Sequence, residues 1–283
     1  MIAGKASRTA ERVAIDRAAH QLADRPLVLD DPFALQVVNR RSAEELRANP
    51  EKDAGSLLRS RVRAIVVVRS RIAEDELARG VREHGVTQYV VLGAGFDTFA
   101  YRNPFAAVRV FEVDHPATQG LKRKRLEDAG IRIPESATLV SCDFSSTRWL
   151  DALKANGFDA ARPTVFAWLG VSMYLSEEDA LATLSDIGSL PAGTSVVFDY
   201  AMPPESVSFI ARFFYRRLLK RVNDLGEPWL SFFRPDALRQ RLSERGFREI
   251  EDLGGPDLNA RYLAGRSDRL RCGPAGRVAI ARV

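Results

Sequence analysis

A chain of 283 residues that is 46% apolar can bury one large α/β core, and nothing in its composition marks a second one. Its formal charge of +5 does not make it a nucleic-acid binder: apart from Lys122-Arg123-Lys124-Arg125 and Arg216-Arg217 the basic residues are spread out, and no nucleic-acid motif accompanies them. Two cysteines, Cys142 and Cys272, with no secretory start, point to a reduced, cytoplasmic setting, and no apolar stretch reaches the ~18 residues of a membrane span.

In chain order, Ser7 to about Gln21 and Ala43 to Arg79 carry charged and apolar residues at helical spacing, separated by Pro26 and Asp30-Asp31-Pro32. They predict a helical cap over 1–80. Strands are expected near 88–92, 108–113, 138–142, 163–168 and 194–200, with helical segments between them. This alternation over 81–200 predicts an α/β fold, a doubly wound, mostly parallel sheet with right-handed crossovers. A long insertion, 201–233, follows the fifth strand. Within it Phe209, Phe213, Phe214, Leu218 and Leu219 are read as one helix face flanked by Arg212, Arg216 and Lys220. That face either docks on the sheet or forms a lid over an apolar acid. The remainder, 234–283, holds a helix opened by Pro235 and closed at Gly246, then two strands at 247–252 and 277–282. The whole chain reads as a single domain without internal repeats.

Gln88 to Thr98, QYVVLGAGFDT, is the most informative stretch. A short apolar run breaks into Gly93-Ala94-Gly95, where backbone can approach a ligand that a Cβ would exclude. About twenty residues on, a second run ends in Glu112-Val113-Asp114, and an acid at a strand tip can accept both hydroxyl hydrogens of a ribose. A dinucleotide fingerprint would place a third glycine where this chain has Asp97-Thr98. S-adenosylmethionine, which has no pyrophosphate, needs no such glycine, and NAD(P) is demoted accordingly. His20, His84 and His115 show no metal spacing, and no Gly-x-Ser-x-Gly elbow is present, so neither metal chemistry nor a serine hydrolase is expected.

Three segments, VVLGAGFDTFAYR (90–102), FEVDHPATQGLKRKRL (111–126) and PTVFAWLGVSMYL (163–175), resemble the bacterial branch of the leucine carboxyl methyltransferase-like family of S-adenosylmethionine-dependent O-methyltransferases. The resemblance extends through SRTAERVAIDRAAH (7–20), DDPFA (30–34), GEPWLSFF (226–233) and ARYLAGRSDRLR (260–271), nearly the whole chain. It implies a class I, Rossmann-like methyltransferase fold whose last two strands close the sheet edge with one antiparallel strand. It implies further that Gly93 and Gly95 lie under the methionine part of the cofactor and that Asp114 binds the ribose, with Glu112, on the same strand face, a competing candidate. Asp143 would read the adenine with the backbone of Phe144, and Arg69 would hold the methionine carboxylate. Arg59, Arg61, Arg63 and Arg71 lie near Arg69 in sequence, and choosing among them rests on the spacing to Gly93.

One departure stands at Leu169, where relatives of the eukaryotic enzyme carry a glutamate. Leucine cannot accept a hydrogen bond from the cofactor ammonium, so backbone carbonyls near Gly93 and Ala167 would do so, and a protein C-terminus is a less expected acceptor. The expected acceptor is a carboxylate, or a hydroxyl, of a small or lipid-like molecule. Tyr101, His115, Tyr174 and Phe213 are the candidate acceptor-side residues, and no catalytic residue is singled out. Two alternatives stay open. One is an NAD(P)-dependent oxidoreductase, which lacks a Tyr-x-x-x-Lys pair here, and the other is a nucleoside-binding protein without activity.

Overall fold

Buried apolar runs become the middle of a seven-stranded sheet: β1 (Gln88–Leu92), β2 (Arg109–Asp114), β3 (Ala137–Ser141), β4 (Val165–Trp168), β5 (Ser195–Ala201), β6 (Glu249–Leu253) and β7 (Gly276–Arg282), ordered β3-β2-β1-β4-β5-β7-β6. The computed structural model describes residues 8–50, 57–144, 147–207, 209–224, 226–268 and 270–283. Ser7 and the side chains of Phe209, Phe214 and Leu218 lie outside the described residues. Strands β1 to β5 run parallel, and β7 pairs antiparallel with both β5 and β6. The five expected inner strands and the two edge strands are thus present, each within a residue or two of its expected bounds.

Alternation along the strands builds two cores. Val90, Leu92, Phe111, Phe166, Trp168 and Phe198 face one side with α6 (Trp149–Ala155), α7 (Glu177–Gly188) and α9 (Pro235–Ser243). Val91, Val110, Ala167, Val197 and Ile280 face the other, against α4 (Leu57–His84) and α10 (Gly255–Tyr262). Each large side chain buried this way contributes roughly 1.5–3 kcal/mol. A third cluster joins α1 (Arg8–Ala23), α2 (Ala34–Val37) and α3 (Arg40–Ala48) to Phe96 of the glycine turn and Leu126 of α5 (Pro116–Asp128). The cap is therefore packed onto the loop that follows β1.

Three details differ from the sequence reading. The helix expected over 43–79 is two helices. α3 starts earlier, where the Asn39 side chain accepts from the Ser42 N–H at 2.8 Å, and α4 runs on to His84 before Gly85 at φ +61°. α10, eight residues opened by Pro256, carried no recognised signal. In the insertion, α8 (Phe209–Asp224) does not gather its aromatics on one face. Phe213 is 59% exposed, whereas Leu219 packs against the core. Six helical steps place these two residues roughly 120° apart around the axis, one turned outward and the other toward the core.

Candidate functional site

The strand order reverses at β1, and the loops leaving β1, β2, β3, β4 and β5 meet at that end of the sheet. Gly93 (φ +71°) and Gly95 (φ +51°) occupy the left-handed region, and a Cβ on Gly93 would lie 2.4 Å from the Val171 side chain. The N–H groups of Gly93 and Ala94 both donate to the Val113 carbonyl, at 2.8 and 3.0 Å. This folds the turn back on the tip of β2. The Gly95 N–H then donates to Asp114 Oδ2, and the His115 N–H donates to Oδ1 at 2.6 Å.

Asp114, 8% exposed, thus holds its carboxylate by backbone donors, with a lone pair left on each oxygen. Burial pushes its carboxyl above the usual carboxylate range, against the pull of those two N–H groups. Glu112 has another environment. It is fully buried, Lys122 Nζ lies 2.5 Å from Oε2, and the Tyr101 hydroxyl donates to the same oxygen at 3.2 Å. Two acids on one strand face are thereby separated into a strand-tip carboxylate and an internal ion pair.

Arg69 is buried on α4 and reaches Asp199 on β5, Nη1 to Oδ2 at 2.5 Å. The other Asp199 oxygen accepts from the Gly170 N–H at 2.6 Å. A Cβ on Gly170 would stand 2.7 Å from Arg69 Nη2, so the glycine after β4 is what admits the guanidinium. Arg69 Nε is buried without a partner, a donor held in reserve. Of the neighbouring arginines, Arg63 is committed to Asp24 through two bonds, 2.7 and 2.9 Å, and Arg71 to Asp75 at 2.8 Å. Asp143 and Phe144 follow β3, half-buried, next to the β2 tip, where the Cys142 N–H donates to the Asp114 carbonyl at 2.9 Å. Leu169, half-buried, packs against the core on the α4 side.

The acceptor-side candidates divide. His115 caps α5, its Nδ1 accepting from the Ala117 N–H at 3.1 Å. Tyr101 is tied to Glu112, and Phe213 faces outward from α8. Tyr174 alone enters a cluster at the mouth. Half-buried, it lies near Thr9 of α1, Trp229, Glu227 and Arg69, and burial pushes its pKa above the usual phenol value. The Thr9 N–H donates to Glu227 Oε2 at 3.2 Å, and the Thr9 hydroxyl bonds to the same oxygen. The segment carrying Glu227 and Trp229 is pinned to the loop after β4, with the Leu230 N–H on the Met173 carbonyl at 2.7 Å and Ser231 Oγ on the Ser172 carbonyl at 2.9 Å. It forms a strap across the strand ends.

Sequence reasoning missed Thr9, Asp199, Glu227 and Trp229 as site residues, and it missed Arg17. The Arg17 guanidinium bonds Asp31, Thr98 and Asp97 (3.2 Å), which hooks α1 to the register where a dinucleotide fingerprint would have its third glycine. An acid inside the otherwise apolar β5, as Asp199 is, was the available signal. No group of His, Cys, Asp or Glu fit to hold a metal occurs among the described residues.

A family model for leucine carboxyl methyltransferase matches residues 10–188. The chain is 33% identical over 286 residues to YktD of Bacillus subtilis, a candidate S-adenosyl-L-methionine-dependent methyltransferase, covering 91% of each chain. A candidate methyltransferase of the same cofactor class from Saccharopolyspora erythraea is 31% identical over 287 residues, covering 97% of this chain and 94% of the relative. Among solved structures, a candidate methyltransferase from Thermobifida fusca superposes with a TM-score of 0.57 at 17% identity, over 99% of this chain and 96% of its own. A DUF574 family protein from Streptomyces avermitilis gives 0.56 at 19% identity, over 94% and 96%.

Proposed function

This chain belongs to the leucine carboxyl methyltransferase family, has the class I methyltransferase fold and takes its methyl group from S-adenosyl-L-methionine; on that premise we propose that it methylates an oxygen, a carboxylate before a hydroxyl, of a small or lipid-like acceptor. In this reading Asp114 takes the ribose hydroxyls with its two remaining lone pairs, and Asp143 with the Phe144 backbone reads the adenine. Arg69, with its spare Nε donor, holds the methionine carboxylate, and the left-handed turn at Gly93 and Gly95 lies under the methionine chain. The unspent Arg69 Nε donor and the open Asp114 lone pairs support the fit.

The bound cofactor supplies a methyl group already activated by its sulfonium. What this chain adds is alignment of the acceptor oxygen and exclusion of water, the latter from the strap laid over the strand ends. Tyr174, its pKa raised by burial, stays a neutral phenol at neutral pH, and its O–H is the donor that would orient an acceptor. The observation that carries the choice of acceptor is the commitment of each candidate base: His115 Nδ1 to the α5 cap, Tyr101 to Glu112, and Glu112 to Lys122. Burial also raises the Cys142 thiol, leaving it protonated near neutral pH. A carboxylate is ionised there and needs no base, whereas an alcohol would profit from one.

The test is transfer of labelled methyl from S-adenosyl-L-methionine to a panel of organic acids and of matched alcohols and amines. A base-labile methyl ester is expected. A base-stable ether or N-methyl product would refute the carboxylate reading while leaving methyl transfer intact.

A further inference from the structure

The outer face of α8 gathers cations around an exposed aromatic. Phe213, Arg216, Arg217 and Lys220, at helical steps of three and four, are all exposed. The inner side of the helix is fixed by Tyr215, whose hydroxyl donates to the Met202 carbonyl at 2.9 Å, and by Arg212, which donates to the Pro204 and Glu205 carbonyls at 3.1 and 3.0 Å. The outward face is therefore set by anchoring and is not a matter of chance rotation. On α3 and α4 three exposed arginines answer acids one turn away, Arg40–Glu44, Arg41–Glu45 and Arg71–Asp75. On α8 no acid occurs before its last residue, Asp224, and Arg216, Arg217 and Lys220 have no carboxylate partner among the described residues.

The cations also surround an apolar group. Phe213 and Leu230, the latter in the strap that follows α8, are each 59% exposed, the most exposed large apolar side chains among the described residues. The Arg217 guanidinium lies 5.5 Å from the Phe213 ring centre, which keeps a cation beside the aromatic. An aromatic side chain set among unanswered cations on an anchored helix suits a surface that is negative outside and apolar just beneath.

We propose that the outer face of α8 docks this protein on bilayers rich in anionic lipid, with Phe213 entering the interface and Arg216, Arg217 and Lys220 on the headgroups. Charge complementarity carries the choice of occupant: three cations that pair with no carboxylate among the described residues fit a continuous negative surface. An acidic protein would more often present discrete carboxylates and leave Phe213 needing a matching pocket. No span is required, and no helix of the described residues is long and apolar enough to cross a membrane. The inference is independent of which acceptor is methylated.

Co-sedimentation of the full chain with vesicles of phosphatidylcholine alone, or with about one quarter phosphatidylglycerol, tests it, read at low and at high salt. Partition onto the anionic vesicles should exceed that onto neutral ones about tenfold or more and fall with salt. The triple charge reversal Arg216→Glu, Arg217→Glu, Lys220→Glu should remove the preference, and Phe213→Ser should weaken binding several-fold while salt sensitivity remains. Unchanged thermal midpoints and unchanged S-adenosylhomocysteine affinity in both variants would show that the fold is intact. Equal partition onto both vesicle types, undiminished binding of the triple variant, or binding to an acidic protein without binding to vesicles would overturn the proposal.

Discussion

Asp114 and Glu76 are both carboxylates buried inside the fold, and their surroundings drive them in opposite directions. Burial would raise Glu76 on α4, but hydrogen bonds from Arg282 of β7 and from Arg79 pull it down to about 2. Burial raises Asp114 as well, and the Gly95 and His115 N–H groups, with lesser help from the Lys122 charge, do not overcome it, so it stays above the ordinary range. The difference separates two kinds of work. Glu76 has its charge answered by two guanidiniums and ties helix α4 to strand β7, a finished structural joint. Asp114 is held in place but left with open lone pairs at the end of the sheet where the strand order reverses, and an acid kept incompletely satisfied at some cost in folding is one that a ligand can complete.

The comparison breaks most readily at the glycine turn, which carries both the site and the packing of the cap. Gly93→Val puts a branched side chain at φ +71° and against Val171, and roughly 3 kcal/mol or more should be lost in urea unfolding, together with cofactor binding. Unaltered stability would show that the turn can relax. Next is the joint itself. Glu76→Gln leaves Arg282 and Arg79 without their shared counter-charge and should cost roughly 2–3 kcal/mol of stability, with S-adenosylhomocysteine affinity in calorimetry unchanged. A loss of affinity would mean that the two regions are coupled.

How much of this was legible in the sequence follows the range of the contacts involved. Strands β1 to β5 could be read because buried parallel strands are short apolar runs, and the glycine turn because left-handed backbone restricts the residue type. Arg69 and Asp199 stand 130 positions apart, and Thr9 and Glu227 stand 218 apart. Nothing local in either residue names its partner. Glu112 and Asp114 look equivalent in sequence, and only Lys122, one helix further on, makes the first an ion pair. The α8 face was misjudged because composition was weighed there ahead of angular position.

Acid titration sharpens the contrast by a somewhat smaller amount. Because the folded value of Glu76 lies below its ordinary 4.5, the joint contributes fully above that pH and is lost as pH falls through about 2. Roughly 2 kcal/mol of stability should disappear over that window in the native protein and be missing from the Glu76→Gln profile. Identical profiles would assign the acid sensitivity to other groups. The smallest effect is expected from Tyr101→Phe, since its hydroxyl serves Glu112: about 1 kcal/mol of stability, with methyl-transfer kcat within about threefold of the parent. A far larger fall in kcat would return Tyr101 to the acceptor.

The most direct measurement compares Asp114→Ala with Glu112→Gln by calorimetric titration of S-adenosylhomocysteine and by urea unfolding of the same samples. Asp114→Ala should lose roughly 2–4 kcal/mol of binding, about 30- to 1000-fold in affinity. Glu112→Gln should lose stability, because Lys122 is left buried without its counter-charge, while keeping affinity within about fivefold. If Glu112→Gln were the variant that lost the ligand and Asp114→Ala kept it, the strand-tip carboxylate would not be the residue that the cofactor completes.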